Sequence, residues 1–258
     1  MTFFAPARYN GRVSIRLVAT VVALASLATA VAAADARLLL ERFLTRVGAA
    51  SLRDITLEQD LTVFNPEGRT PFATGTQRVV FKLPDRQRME QVVDGAREVR
   101  LSVGARSWRR GPDGKVTPLP ASRGQALALA VPVHRTADEM LAGWRALGVR
   151  DDRSHEARLG GRTVTVFGAE PGERDRPAVW LDPEYGVMRF VALEPTDTGS
   201  VLTDVSLSDH RPLLGALFFP YRQEIFRSGK LLARLLVRSV VVNTDPPAAM
   251  FDPAALSR

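Results

Sequence analysis

Two periods of hydrophobic repetition divide this chain. Over residues 35–48, Leu38, Leu39, Leu40, Phe43, Leu44 and Val47 recur at helical spacing, and Gly48 stands where a helix would end. The pattern predicts an amphipathic helix whose apolar face must pack against something large. From Asp54 onward the texture changes to short β-branched or alternating runs broken by turn residues. Runs at 54–65, 72–83, 86–93 and 97–103 end at Asn65-Pro66-Glu67-Gly68, Pro84-Asp85, Asp94-Gly95 and Gly104. Another short run holds Trp108 before the turn Gly111-Pro112-Asp113-Gly114. Strands joined by turns this short, with no helix between them, predict antiparallel hairpins or a meander.

The middle of the chain differs in kind. Residues 121–133 form an apolar stretch, and Thr136-Ala137-Asp138-Glu139 is a capping box opening a helix with Met140, Leu141, Trp144 and Leu147 on one face, closed by Gly148. Strand texture then returns at 152–159, 162–168, 178–182, 187–194, 199–208, 217–227 and 230–243, with Ser228-Gly229 as the tight turn between the last two. About ten to twelve strands and two helices result. The fold class is mainly β (α+β): a single curved antiparallel sheet whose concave face is covered by the N-terminal and mid-chain helices. No linker or repeat divides residues 35–258, which read as one domain.

The first 34 residues belong to another pattern. Arg8, Arg12 and Arg16 precede an uncharged run from Leu17 to Ala34 that ends in small residues, the order of a secretory signal peptide with a small-x-small cleavage site. A retained membrane anchor is the alternative, but the run is dominated by alanine, a weakly apolar spanning residue. A cleaved signal carries residues 35–258 across the inner membrane and out of the cytoplasm. Its loss also changes the charge: the formal net of +7 falls to +4, with 32 Lys and Arg left of 35 against 28 Asp and Glu. Those charges alternate in sign, as in Asp85-Arg86-Gln87-Arg88 and Glu173-Arg174-Asp175-Arg176, which argues against nucleic acid as a partner. No cysteine is present, so stability must come without disulfides, thiol chemistry is excluded, and the chain lacks the residue through which a bacterial lipoprotein is lipidated.

Candidate chemistry is sparse. His134, His155 and His210 are far apart and form no metal-ligand spacing, so no metal and no cofactor is expected. No Gly-x-Ser-x-Gly elbow or phosphate-cradling glycine loop appears. Asp182 and Glu184 flank Pro183 in what reads as a turn. No catalytic residue is assigned, although acids that meet in space would leave a secreted hydrolase open. The positive signal is apolar surplus. Val187–Leu193, Leu213–Phe219 and Leu231–Val242 carry apolar groups on both strand faces, so each needs a second partner: the helices, another protein subunit or scaffold partner, or a bound apolar ligand.

The order of elements resembles the LolA/LolB-like superfamily of periplasmic lipoprotein carriers and sorting proteins. Three stretches carry the likeness: the leucine-rich helix Leu38–Val47 followed by the strand from Leu52 to Leu61, the hairpin from Gly75 to Glu90, and Trp180-Leu181-Asp182-Pro183 together with the tail from Val240 to Pro253. The resemblance implies an unclosed β-barrel wrapped around helices, with an apolar cavity for acyl chains. It implies a monomeric, non-enzymatic carrier, chaperone or lipid sensor working in outer-membrane biogenesis. Its partners would be acyl chains of lipid or lipoprotein, an inner-membrane transporter and an outer-membrane acceptor. Leu40, Phe43, Leu44, Phe81, Met89, Trp108, Met140, Trp144, Phe190 and Phe219 are the residues expected to line the cavity.

Overall fold

The computed structural model describes residues 36–48, 51–119, 135–196 and 199–257. The expected signal segment, the apolar stretch 121–133 and His134 lie outside the described residues. Helix α1 covers residues 36–48. It is followed by β1 (Asp54–Phe64), β2 (Pro71–Lys82), β3 (Arg86–Val93), β4 (Ala96–Val103), β5 (Arg106–Arg110) and β6 (Val116–Leu119). Helix α2 (Ala137–Ala146) then precedes β7 (Ser154–Leu159), β8 (Arg162–Phe167), β9 (Ala178–Asp182), β10 (Gly186–Thr196), β11 (Gly199–Leu214), β12 (Leu217–Arg227) and β13 (Lys230–Val242). Two 3₁₀ turns, Ala248–Phe251 and Pro253–Ser257, finish the chain.

The thirteen strands form one antiparallel sheet in the order β6-β5-β4-β3-β2-β1-β13-β12-β11-β10-β9-β8-β7. Two runs of hairpins are joined where β1 pairs with β13, and among the described residues β6 and β7 are the edges of the sheet, so the barrel is not closed. The tight turns follow from local chemistry. Asp94 and Gly95 both hold positive φ, as do Ser228 and Gly229, the backbone a two-residue hairpin turn demands.

The strand count exceeds the expected range by one because β6 was not foreseen. Its sequence, Val-Thr-Pro-Leu, contains a proline that cannot donate to a ladder, and it is tolerated because this strand is an edge. β11 also runs past the expected end at 208. Asp209 holds a φ of 54°, yet pairing with β12 continues past it through His210 to Leu214.

The main apolar cluster lies on one face of this sheet. It unites Leu40, Phe43, Leu44 and Val47 of α1 and Met140, Leu141 and Trp144 of α2 with inward side chains of strands from β2 to β8. β2 and β8 stand seven steps apart in the sheet, about 34 Å if the sheet were flat. One layer of two short helices covers that span because the sheet curls around them. The other face carries separate clusters: one around Val164, Trp180 and Val191, and one in which Val80, Val99 and Leu101 are capped by Phe251 and Leu256 of the 3₁₀ turns.

Candidate functional site

Helix α1 presents Leu40, Phe43, Leu44 and Val47 inward, at the i, i+3, i+4, i+7 spacing that puts them on one stripe. Arg37 on its outer side pairs with Glu41 one turn on and with Asp138 in the first turn of α2, each at 2.9 Å, so the two helices are tied at the protein surface. Helix α2 starts where Thr136 accepts from Glu139 N at 3.2 Å while Glu139 Oε2 accepts from Thr136 N at 2.8 Å, the reciprocal box read from the sequence. That start orients Met140 and Trp144, both fully buried, into the sheet. The Trp144 ring lies 5.2 Å from that of Phe167 on β8.

Two surface grooves run onto this cluster. One, of about 490 Å³, is formed by Leu38, Leu39 and Phe43 of α1 with Pro183, and has Arg42 and Arg46 at its rim. The other, of about 560 Å³, lies where β1 and β2 meet the tail and is lined by Leu52, Leu83 and Pro84 together with the charged Arg53, Asp54, Lys82 and Asp245. Both volumes fall in the ~300–1,000 Å³ range of small-molecule sites. Phe43 and Leu52 belong at once to the grooves and to the buried cluster, so each groove has a wall continuous with the interior.

Of the ten residues expected to line an interior site, eight are buried in the one cluster: Leu40, Phe43, Leu44, Phe81, Met140, Trp144, Phe190 and Phe219. Met89 is half-buried and packs against it. Trp108 does not join them. Its cross-strand row, Val80–Arg88–Leu101–Trp108, points to the opposite face, where it packs with the cluster under the 3₁₀ turns. A single residue's place in an alternation decides its face, and Trp108 sits in a run too short to show that phase.

The two-sided strands resolve in different ways. On β10, Phe190 and Ala192 face the helices while Met188 and Val191 join the cluster around Trp180. On β13 the outward Leu236 and Val241 stay exposed.

The carboxylates at the β9–β10 turn are structural. Asp182, almost completely buried, binds Arg162 through both oxygens at 2.6 and 3.1 Å and accepts from the Glu184 and Tyr185 amides, each at 2.8 Å. Burial by itself would raise this carboxyl, but those four bonds outweigh it and hold it below the ordinary carboxylate range. Arg162 also pairs with Glu184 and lies 4.0 Å over the Tyr185 ring, which in turn stacks on His210 at 5.1 Å. His210 is half-buried and lies within β11. Burial lowers its imidazole below the usual range despite a bond to the Val187 backbone. Sequence reading also missed a row of glutamines on the inner wall: Gln59, Gln77 and Gln91. The signal was present, because Gln59 occupies the inward phase of Ile55, Leu57 and Leu61.

An open antiparallel sheet curled around two helices, with apolar walls and grooves leading onto them, defines a class of fold. Solved structures place the chain there. It aligns with a domain named for outer-membrane lipoprotein sorting from Vibrio parahaemolyticus at 13% identity and a TM-score of 0.51, covering 80% of this chain and 92% of that one. A DUF1329-family protein from Desulfovibrio piger aligns at 12% identity and a TM-score of 0.53, over 83% and 96% of the two chains. A LolA superfamily protein from Nitrosomonas europaea aligns at 10% identity and 0.51, over 83% and 97%. The chain thus shares the fold of these three proteins across most of its length. No family model and no curated protein matches its sequence.

Proposed function

We infer that this protein is a non-enzymatic carrier that takes up acyl chains of lipids or lipoproteins between its sheet and its helices and moves them toward the outer membrane. The observation that carries this reading is the continuity of two surface grooves with one apolar cluster built from α1, α2 and the inward face of the sheet. Apolar area removed from water contributes about 25 cal/mol per Å², so an acyl chain lodged along such walls is held without any specific polar contact. The shared fold with the lipoprotein-sorting domain supports the same reading.

Residues 1–34, basic then apolar then small, support delivery to the periplasm by a cleaved signal. An inner-membrane transporter as donor and an outer-membrane acceptor are the partners such a carrier needs. The carrier works as a monomer. In support, the sheet's two edges among the described residues carry Pro118 on one side and Glu156 and Arg158 on the other, features that discourage edge-to-edge pairing.

The test is organic extraction of the purified chain with mass spectrometry of co-purifying lipid, alongside displacement of a fluorescent fatty acid. Saturable displacement is expected. Its absence, with no co-purifying lipid, would remove the carrier reading.

A further inference from the structure

The inner wall of the sheet is not apolar throughout. Inward positions on β1 run Ile55, Leu57, Gln59 and Leu61, so a glutamine with 1% exposure stands where an aliphatic side chain is expected. The interruption continues across the sheet: Gln59 pairs with Gln77 on β2, Gln77 with Gln91 on β3, and Gln91 with Glu98 on β4. Gln59 Nε2 donates to Gln77 Oε1 at 2.5 Å, and Gln77 Nε2 donates to Gln91 Oε1 at 3.2 Å. Both donors point toward β3. The other end of the chain of amides, Gln59 Oε1, is buried with no partner. Head-to-tail amides polarise one another, so this oxygen is a strengthened acceptor held away from water.

On β12, with β13 between it and β1, Gln223 has the opposite need. It is 5% exposed, lies between Leu207 and Leu235 of the adjoining strands, and its Nε2 is a buried donor with no partner. Both glutamines stand on the border between two apolar clusters, the large one under the helices and a small one of Leu61, Ala233 and Leu235. The ladder is altered at this point as well. Glu58 pairs with Ser239 but Gln59 with Val237, which leaves Arg238 bulged out of register, the irregularity by which sheets re-aim a side chain. Buried amide atoms without partners cost stability, and an apolar residue at either position would avoid that cost.

We propose that the Gln59–Gln223 border is a subsite for a hydrogen-bonding group carried part-way along an acyl ligand, a hydroxyl or a secondary amide. The group's hydrogen bonds to Gln59 Oε1, and an oxygen of the same ligand accepts from Gln223 Nε2. Hydrocarbon on either side of the group lies on the two apolar clusters. The proposal rests on the carrier reading and narrows it, from plain hydrocarbon to chains that are apolar, then polar, then apolar.

Displacement of a bound fluorescent fatty acid from the full purified chain is measured with three probes of equal length: stearate, hydroxystearate with a mid-chain hydroxyl, and an analogue with a mid-chain amide. The hydroxyl and amide probes are expected to bind about five- to tenfold tighter than stearate, as one or two net hydrogen bonds provide. Gln59→Leu should bring all three to parity, and should melt no lower than the parent. Gln223→Leu supplies the same comparison should the first variant misfold. Equal binding of all three probes by the parent, or a preference that survives both substitutions, would overturn the subsite and leave the carrier standing. Saturable displacement by none of the three would overturn both.

Discussion

Two glycines show how single atoms set the inner wall. Gly75 lies on β2 opposite Leu61 and Val93, and a Cβ there would overlap the Val92 carbonyl of β3. Because the obstacle is backbone, Gly75→Ala is expected to lower stability by about 1–3 kcal/mol, read by chemical denaturation. Gly186 opens β10 with φ of 86°, and a Cβ there would come within 2.7 Å of the Phe43 ring. Gly186→Ala should therefore destabilise and also displace a groove residue, weakening fatty-acid binding more than Gly95→Ala, where a Cβ meets open space at a comparable φ. At the residue scale, which face a side chain takes was legible where periodicity was long. The helical stripe of Leu40, Phe43 and Leu44 and the strand phase of Phe81, Phe190 and Phe219 were legible because many neighbours agree on one face. Trp108 was not, since five residues of β5 do not fix a phase without their partner strands. Gln59 was not legible for the opposite reason: a polar side chain by itself points to an outward place, while register with Ile55 and Leu57 requires an inward one.

At the scale of elements, α2 depends on its first turn. Thr136→Ala removes the acceptor for Glu139 N and should cost about 1 kcal/mol, with loss concentrated in local hydrogen-exchange protection of residues 137–146. The β9–β10 turn depends on ionised Asp182. Its carboxyl titrates below the ordinary value in the folded protein, so the unfolded chain takes up the proton first as pH falls. The stabilisation is thus complete above the unfolded value of about 3.9 and is lost as pH drops through the lower, folded one. Asp182→Asn should be less stable at neutral pH and show a flatter decline on the acid side, measured by denaturant midpoints across pH. Helices and hairpins were readable because capping boxes and two-residue turns are local codes. β6 and the far half of β11 were not, because pairing with β5 and with β12 decides them against a proline and a positive-φ aspartate.

At the scale of the molecule, the sheet's openness and its apolar interior belong together. A closed barrel of this size would need no helices to cover its lumen; this one leaves β6 and β7 apart and fills the curve with α1 and α2. The general architecture was legible from the count and order of elements and from the likeness to lipoprotein carriers. What the sequence could not show is which apolar faces share an interior, since the strands from β2 to β8 meet only through the curl. The tryptophans give a direct way to ask where an acyl chain goes. Trp144 stands on the helix side of the sheet and Trp108 on the other. Fluorescence of variants retaining only one of these tryptophans is followed while a brominated fatty acid is added. Saturable quenching of Trp144 with Trp108 unaffected is the predicted result; equal quenching of both, or none of Trp144, would contradict uptake between the sheet and its helices.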